Sequence, residues 1–334
     1  MPSIRARLTN LMLRATSKRL WRPGLDITFL RRHTAKVDAR MGRRALSVQV
    51  EEVTLAGVPA QWIGAKEAAQ NGTMLYLHGG AWCVHLPNVY RKFAARLSLA
   101  TGMRVLLVDY RLAPEHRYPA ASNDCFAVYR ALLDQCDPGR PLVVAGDSAG
   151  GNLTLVTLMR ARDAGLPLPC CAVALSPATD ITLSGPSVRY NAAADPMFGL
   201  GAGDLLPDLY CPGHDRTHCA ISPLFGSWHG LPPLYFVAGS TEMLLDDSVR
   251  AQDRAVQAGV AASIDVWPDM PHVFPLFDWL PETRKAIADI ATFIARHAKP
   301  ANLRVSDAPS DAPALGSPTL SQAPGEGVTQ RSAI

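Results

Sequence analysis

From residue 45 onward, short apolar runs alternate with longer stretches whose apolar positions recur at helical spacing. Val48 to Leu55 and Pro59 to Ile63 read as an antiparallel start, and strands follow near 73–78, 104–109, 141–146, 171–175, 233–238 and 262–267. Helices are expected between them near 88–101, 122–135, 150–164, 246–259 and 281–297. Such alternation demands a mostly parallel, eight-stranded sheet covered by helices on both faces, an α/β architecture. The rhythm breaks at residues 178–230, which are rich in Gly, Pro and Asp and read as a cap insertion. Ahead of the sheet, Ile4, Leu8, Leu11 and Ala15 recur at helical spacing with Arg5, Arg7, Arg14 and Lys18 off that stripe. Residues 1–45 are therefore expected to be basic, amphipathic cap helices whose apolar face closes over the active site, contact with an anionic lipid surface being the alternative. The domain proper runs over 46–298, and the Ala-, Pro-, Ser- and Gly-rich stretch 299–334 is expected to be disordered.

Composition changes this picture little. The 334 residues are 48% hydrophobic and 19% charged, enough for one large core. No apolar stretch approaches the roughly 18 residues that span a bilayer, and arginines interrupt any secretory signal. Seven cysteines, an odd number on apolar segments, suggest reduced thiols in the cytoplasm. Charge is lopsided: residues 1–44 hold 12 Lys and Arg against Asp26 and Asp38, a balance of +10 within an overall +4. No base-reading motif accompanies it, so nucleic acid is not an expected partner. A homodimer stays open.

The chemistry is written most clearly in Gly146-Asp147-Ser148-Ala149-Gly150, which sits between the apolar run Leu142–Ala145 and a helical segment. A strand, a sharp turn and a helix in that order form an elbow that projects the serine hydroxyl into open space beside the first helix amides. Upstream, another apolar strand runs into His78-Gly79-Gly80-Ala81-Trp82, where adjacent glycines free the backbone to turn its amides toward a ligand. The N–H groups of Gly79, Gly80 and Ala149 are assigned to an oxyanion hole, because a tetrahedral acyl-transfer intermediate concentrates charge on one oxygen.

A serine needs a base, and the base an orienting acid. His272 follows the last predicted strand at the carboxyl edge that also carries the elbow, whereas His214, His218 and His229 sit in loops and His297 on a polar helix face. Glu242 directly follows the strand ending at Gly239. Asp246 and Asp247 begin the next helix, where capping alone explains an acid, so Glu242 is preferred and Asp246 is the alternative.

These residues resemble the hormone-sensitive-lipase-like group of α/β-hydrolases, the bacterial family IV esterases, with a pattern also close to monoterpene lactone hydrolases. The resemblance covers about residues 45–298 and rests on the segment from His78 to Trp82, Asp109 to His116, Pro119-Ala120-Ala121, Gly146 to Leu153, Ser176-Pro177, Ile221 to Leu224 and His272-Val273-Phe274. It implies a Ser/acid/His hydrolase with an N-terminal helical cap and no cofactor or metal. The expected activity is cleavage of small short- to medium-chain acyl esters or lactones through an acyl-enzyme, with lipase or peptidase activity on the same triad, or a silent ligand receptor on the same scaffold, as alternatives. Many members carry Asp-Pro-Leu at the acid, where this chain has Glu242-Met243-Leu244.

Trp82, Val84, Phe198 and Leu205 are the expected acyl-pocket liners. Glu115 and His116 are read as structural, and Asp147 as a support to the elbow. Cys211, His214, His218 and Cys219 bring four soft ligands together in sequence, yet adjacent His218 and Cys219 point apart in an extended chain, so a surface loop is expected rather than zinc.

Overall fold

The computed structural model describes residues 2–21, 24–41, 48–199 and 201–298. The boundary expected at residue 45 and the tail from 299 lie outside the described residues. Eight strands, β1 (Val50–Leu55), β2 (Val58–Ile63), β3 (Thr73–Leu77), β4 (Arg104–Val108), β5 (Leu142–Asp147), β6 (Cys171–Leu175), β7 (Leu234–Gly239) and β8 (Ala262–Trp267), form one sheet in the order β1-β2-β4-β3-β5-β6-β7-β8. β2 is antiparallel to both β1 and β4, and every later neighbour pair is parallel. Central strands β3, β5, β6 and β7 are buried at every position, as their unbroken apolar runs require when both faces are covered. The edge strands β1 and β8 are largely open to solvent.

Helices are α1 (Ile4–Ala15), α2 (Ile27–Met41), α3 (Pro87–Thr101), α4 (Ala120–Gln135), α5 (Ala149–Asp163), α6 (Ser187–Tyr190), α7 (Ala202–Tyr210), α8 (Leu245–Gln257) and α9 (Pro281–His297). One core layer packs Phe93 and Leu97 of α3 with Ile287 and Ile290 of α9 against Met74, Tyr76 and Val143. On the other face, Tyr129 and Leu132 of α4, Leu153 of α5 and Ala251 of α8 meet Leu75, Leu77 and Val144. Strands and helices fall within about three residues of their expected bounds, a scatter normal for element ends.

The first helix departs from expectation. Ile4, Leu8 and Leu11, the stripe expected to face inward, are 77%, 60% and 65% exposed, while Ala6, Thr9 and Leu13 are buried. The reason lies in the docking surface, which is polar. Ser3 bonds the Glu282 carboxylate through both N–H and hydroxyl, Thr9 accepts from Trp279 Nε1, and Asn10 donates to the Asp269 carbonyl. Periodicity reveals that a helix has an apolar face; what that face meets depends on the partner surface.

α2 lies against the turn after β3. Arg31 donates to the carbonyls of Cys83 and Ala113 and pairs with Glu115, whose carboxyl its guanidinium holds down at about 2. Asp38 accepts from the Asn88 and Val89 amides at the start of α3.

Candidate active site

The parallel order of β5, β6, β7 and β8 lines up their carboxyl ends, so Ser148, Ser176, Glu242 and His272 emerge from adjacent strands at one edge. Ser148 has φ 52° and ψ −119° between β5 and α5. That left-handed geometry is unfavourable for a residue with a Cβ and persists where surrounding structure enforces it. Here Ser148 N–H donates to the Leu175 carbonyl, and the Ser148 carbonyl accepts from Asn152 and Ala178. Asn152 in turn donates its amide to the carbonyls of Ala178 and Ile221, fixing the loop after β6 beside the elbow. Gly150 is obligatory: a Cβ there would collide with the carbonyls of Leu77 and His78.

Glu242 and His272 meet. The His272 Nδ1–H donates to Glu242 Oε2 at 2.9 Å with both side chains buried. Glu242 Oε1 accepts from the Ser176 hydroxyl at 2.8 Å and from the Gly239 amide. Ser176, at φ 44°, also accepts from Val273 N–H at 3.1 Å, so one hydroxyl fixes both Glu242 and the residue after His272. Thr241 donates to the Met270 carbonyl, and Asp269 N–H to Ser240 Oγ, tying the two loops together. Burial disfavours charge on His272, but the bond to Glu242 and the charges of Glu242, Asp195 and Asp147 outweigh it, so its pKa is raised. Its Nε2 is buried and has no hydrogen-bond partner among the described residues. A nitrogen held like this is an acceptor in waiting.

Asp246 is engaged elsewhere, accepting from Ser187 N–H and Tyr190 OH at the start of α8. The geometry thus favours Glu242 over the alternative acid.

Behind the elbow, buried Asp147 accepts from Tyr76 OH, Tyr90 OH and Gly79 N–H at 2.8–2.9 Å. Burial pushes its carboxyl up to about 6 against the pull of those three donors. The bond from Gly79 corrects its expected role, because an N–H directed at Asp147 is turned away from a substrate oxygen. Gly80 follows at φ 112°, where a Cβ would strike the Val84 carbonyl, and Ala81 at φ 55°. The amides of Gly80, Ala81 and Ala149 donate to no acceptor among the described residues.

Beside these groups opens a half-open pocket lined by Trp82, Ile181, Leu183, Val188, Phe198, Pro207, Met243 and Leu244, with Asp180 as its acidic member. Phe198 stands edge-on to the His272 ring at 4.8 Å and is covered by Trp21 at 5.2 Å. Trp82 and Phe198, two of the four expected liners, border this pocket. Val84 and Leu205 do not: Val84 is buried in the core behind the turn, and among the described residues α7 contributes Pro207 to the wall.

An α/β-hydrolase-fold family model matches residues 74–276, which include Ser148, Glu242 and His272. An esterase from the bacterial hormone-sensitive lipase family superposes with a TM-score of 0.81 at 37% identity, covering 89% of this chain and 99% of that one. This chain belongs to that family. As a member it is a carboxylic ester hydrolase, and its curated relatives agree. An acetyl-hydrolase of Streptomyces hygroscopicus is 39% identical over 72% of this chain and 81% of its own length, and an esterase of Acinetobacter venetianus is 37% identical over 74% and 82%. The EstE5 structure soaked with p-nitrophenyl butyrate matches with a TM-score of 0.82 at 38% identity, over 88% of this chain and 99% of that one.

Three residues of this esterase escaped sequence reasoning. Ser176 stood only inside a Ser-Pro pair, although its place at the end of β6 was a signal. Asn191 donates to the Ser240 and Glu242 carbonyls, and Asp195 accepts from Met243, Met197 and Phe198. Both lie in the irregular stretch after β6, where no period marks a role.

His78, His85 and Asp109 also converge, near the oxyanion turn. The His78 and His85 rings stack 4.3 Å apart and 13° from parallel, with Tyr110 on the other side of His78. Zinc sits in the plane of each imidazole that binds it, about 2.0–2.1 Å from the nitrogen. Two near-parallel planes separated this far do not share such a point, so the cluster fits a stack better than a metal centre. Among the loop cysteines and histidines, His214 packs edge-on against Tyr118, and His218 Nδ1 accepts from Ala220 N–H.

Proposed function

We propose that Ser148 is the nucleophile, His272 the general base and Glu242 its orienting acid in the hydrolysis of short- to medium-chain acyl esters. His272 Nε2 removes the Ser148 proton as Oγ attacks the ester carbonyl. The amides of Gly80, Ala81 and Ala149 hold the resulting oxyanion, and losing one such donor typically slows a reaction about 10²- to 10³-fold. The imidazolium, steadied by Glu242, gives its proton to the departing alcohol. Water then enters, is deprotonated by the same nitrogen and releases the acid, regenerating Ser148.

The observation that carries this reading is the buried Glu242–His272 bond of 2.9 Å with the far nitrogen left unpartnered, on the same sheet edge as a serine held at φ 52°. A silent receptor has no need for a base so placed. The apolar pocket next to Phe198 suits a short or medium acyl chain. The neighbour soaked with p-nitrophenyl butyrate favours the same class. Seven free thiols favour the cytoplasm, and among the described residues no helix is long and apolar enough to cross a membrane.

A p-nitrophenyl acyl series from acetate to palmitate, run with wild type and Ser148→Ala, tests the reading. The highest kcat/KM is expected at short to medium chains, with Ser148→Ala lower by at least about 10³-fold. A maximum at palmitate would make the enzyme a lipase, and an unaffected Ser148→Ala would remove the nucleophile.

A further inference from the structure

The exposed ridge of α1 has a definite partner chemistry. Ile4, Leu8, Leu11 and Met12 are 77%, 60%, 65% and 47% exposed. Projected at helical spacing, they fill an apolar stripe about 100° wide, wide enough to bury against another phase. Arg5 flanks one side of that stripe, Arg7 and Arg14 the other, and the opposite face is the one docked on the protein. Arg5 and Arg14 donate to backbone carbonyls of Trp279, Ala193 and Ala194, contacts that fix their direction without neutralising their charge. Residues 1–44 carry +10 overall, and one of their two carboxylates, Asp38, is buried against α3.

We propose that α1 seats the protein on an anionic bilayer surface, its ridge among the acyl chains and its arginines at the lipid phosphates. An amphipathic helix with cations along both edges of an apolar stripe has the form that binds such interfaces. A second copy fits worse, because pairing two ridges would bring like-charged arginine rows together. The same helix and the turn after it hold loops beside the pocket: Arg14 and Lys18 bond carbonyls at 192–195, and Asn10 bonds the Asp269 carbonyl ahead of His272. Seating α1 therefore brings these loops next to the interface, where apolar esters collect. Only this consequence for turnover rests on the proposed catalytic site, so binding and hydrolysis are measured apart.

The test is sedimentation of the full chain with vesicles of phosphatidylcholine alone or mixed with phosphatidylglycerol. Wild type is expected to partition at least about tenfold more strongly onto the anionic vesicles, and less as salt rises and the Debye length shrinks. Leu8→Glu/Leu11→Glu should lose that partition about tenfold or more, and Arg7→Ser about fivefold. Both variants should keep the wild-type melting temperature and the wild-type rate on dissolved p-nitrophenyl butyrate. Equal partition of wild type and the double variant, or none by wild type, would overturn the proposal. So would a wild-type dimer in light scattering that the double variant dissolves, which would assign the ridge to a second copy.

Discussion

Ser176 Oγ lies 2.8 Å from Glu242 Oε1 and leaves the other carboxylate oxygen to His272. The same hydroxyl accepts from Val273 N–H, where a β-branched residue is held at φ 49°. A single small side chain therefore sets both the aim of the Glu242 carboxylate and the strained backbone that follows His272. Replacing Ser176 with Ala should lower kcat about tenfold while KM stays within about twofold, since substrate-binding walls are untouched. Steady-state kinetics on p-nitrophenyl butyrate measure this. A rise in KM with unchanged kcat would place Ser176 in substrate binding instead.

The raised pKa of His272 predicts the acid limb of the pH profile. Burial pulls the value down, and Glu242, Asp195 and Asp147 pull it further up, so the net direction is above 6.5. A base must be neutral to act, so kcat/KM falls as pH drops through that pKa, and the inflection should lie above 6.5. Glu242→Gln removes the largest raising influence and should move the inflection down. An inflection below 6.5 in wild type would contradict the assignment.

Glu242 and Asp246 are four residues apart and have separate tasks. Glu242→Gln should reduce kcat by about 10²- to 10⁴-fold, through a wrong tautomer and an unsupported imidazolium. Asp246→Ala removes only bonds to Ser187 and Tyr190, so activity should stay near wild type with a loss of about 1 kcal/mol in stability. Kinetics and chemical denaturation of the two variants separate these outcomes.

The strand-to-helix rhythm was legible because β3, β5, β6 and β7 are buried on both faces and so must be apolar at each step. Ser148 and Glu242 stood out as candidates because each follows such a strand, and His272 because it follows the edge strand β8 at the same sheet edge. The oxyanion turn was legible only as a segment. Which amide faces outward depends on Asp147 reaching back to Gly79, a contact 68 residues away in sequence. The face that α1 buries was misread for a related reason, since carbonyls and a carboxylate on the partner surface outbid its apolar stripe. Val84 failed as a liner because the turn after β3 folds it into the core, and Leu205 because the stretch 178–230 carries no period from which direction can be read.

Asp247 offers a test of the fold rather than the chemistry. It is fully buried and accepts from the Thr179 and Asp180 amides, and burial with the nearby Asp180 charge pushes its carboxyl up from 3.8 to about 7. The folded protein therefore holds this proton more tightly than the unfolded chain does. Its stabilising contribution is complete below pH 3.8 and is lost as pH rises through about 7. Asp247→Asn cannot ionise and should lose less stability between pH 4.5 and pH 8 than wild type, by on the order of 2 kcal/mol. Urea denaturation at the two pH values measures the difference. Parallel pH dependence in the two proteins would mean that Asp247 titrates in the folded protein near its unfolded value, contradicting the raised pKa.

The central claim is that Ser148 becomes covalently attached to substrate, and active-site labelling tests it most directly. Treatment with a serine-directed phosphonate, followed by peptide mass spectrometry, should give one adduct per chain on the peptide containing Ser148. Activity should disappear in step with labelling, and His272→Ala should label at least about 10²-fold more slowly. Complete inactivation with the adduct on another residue, or undiminished activity with Ser148 fully modified, would contradict the account.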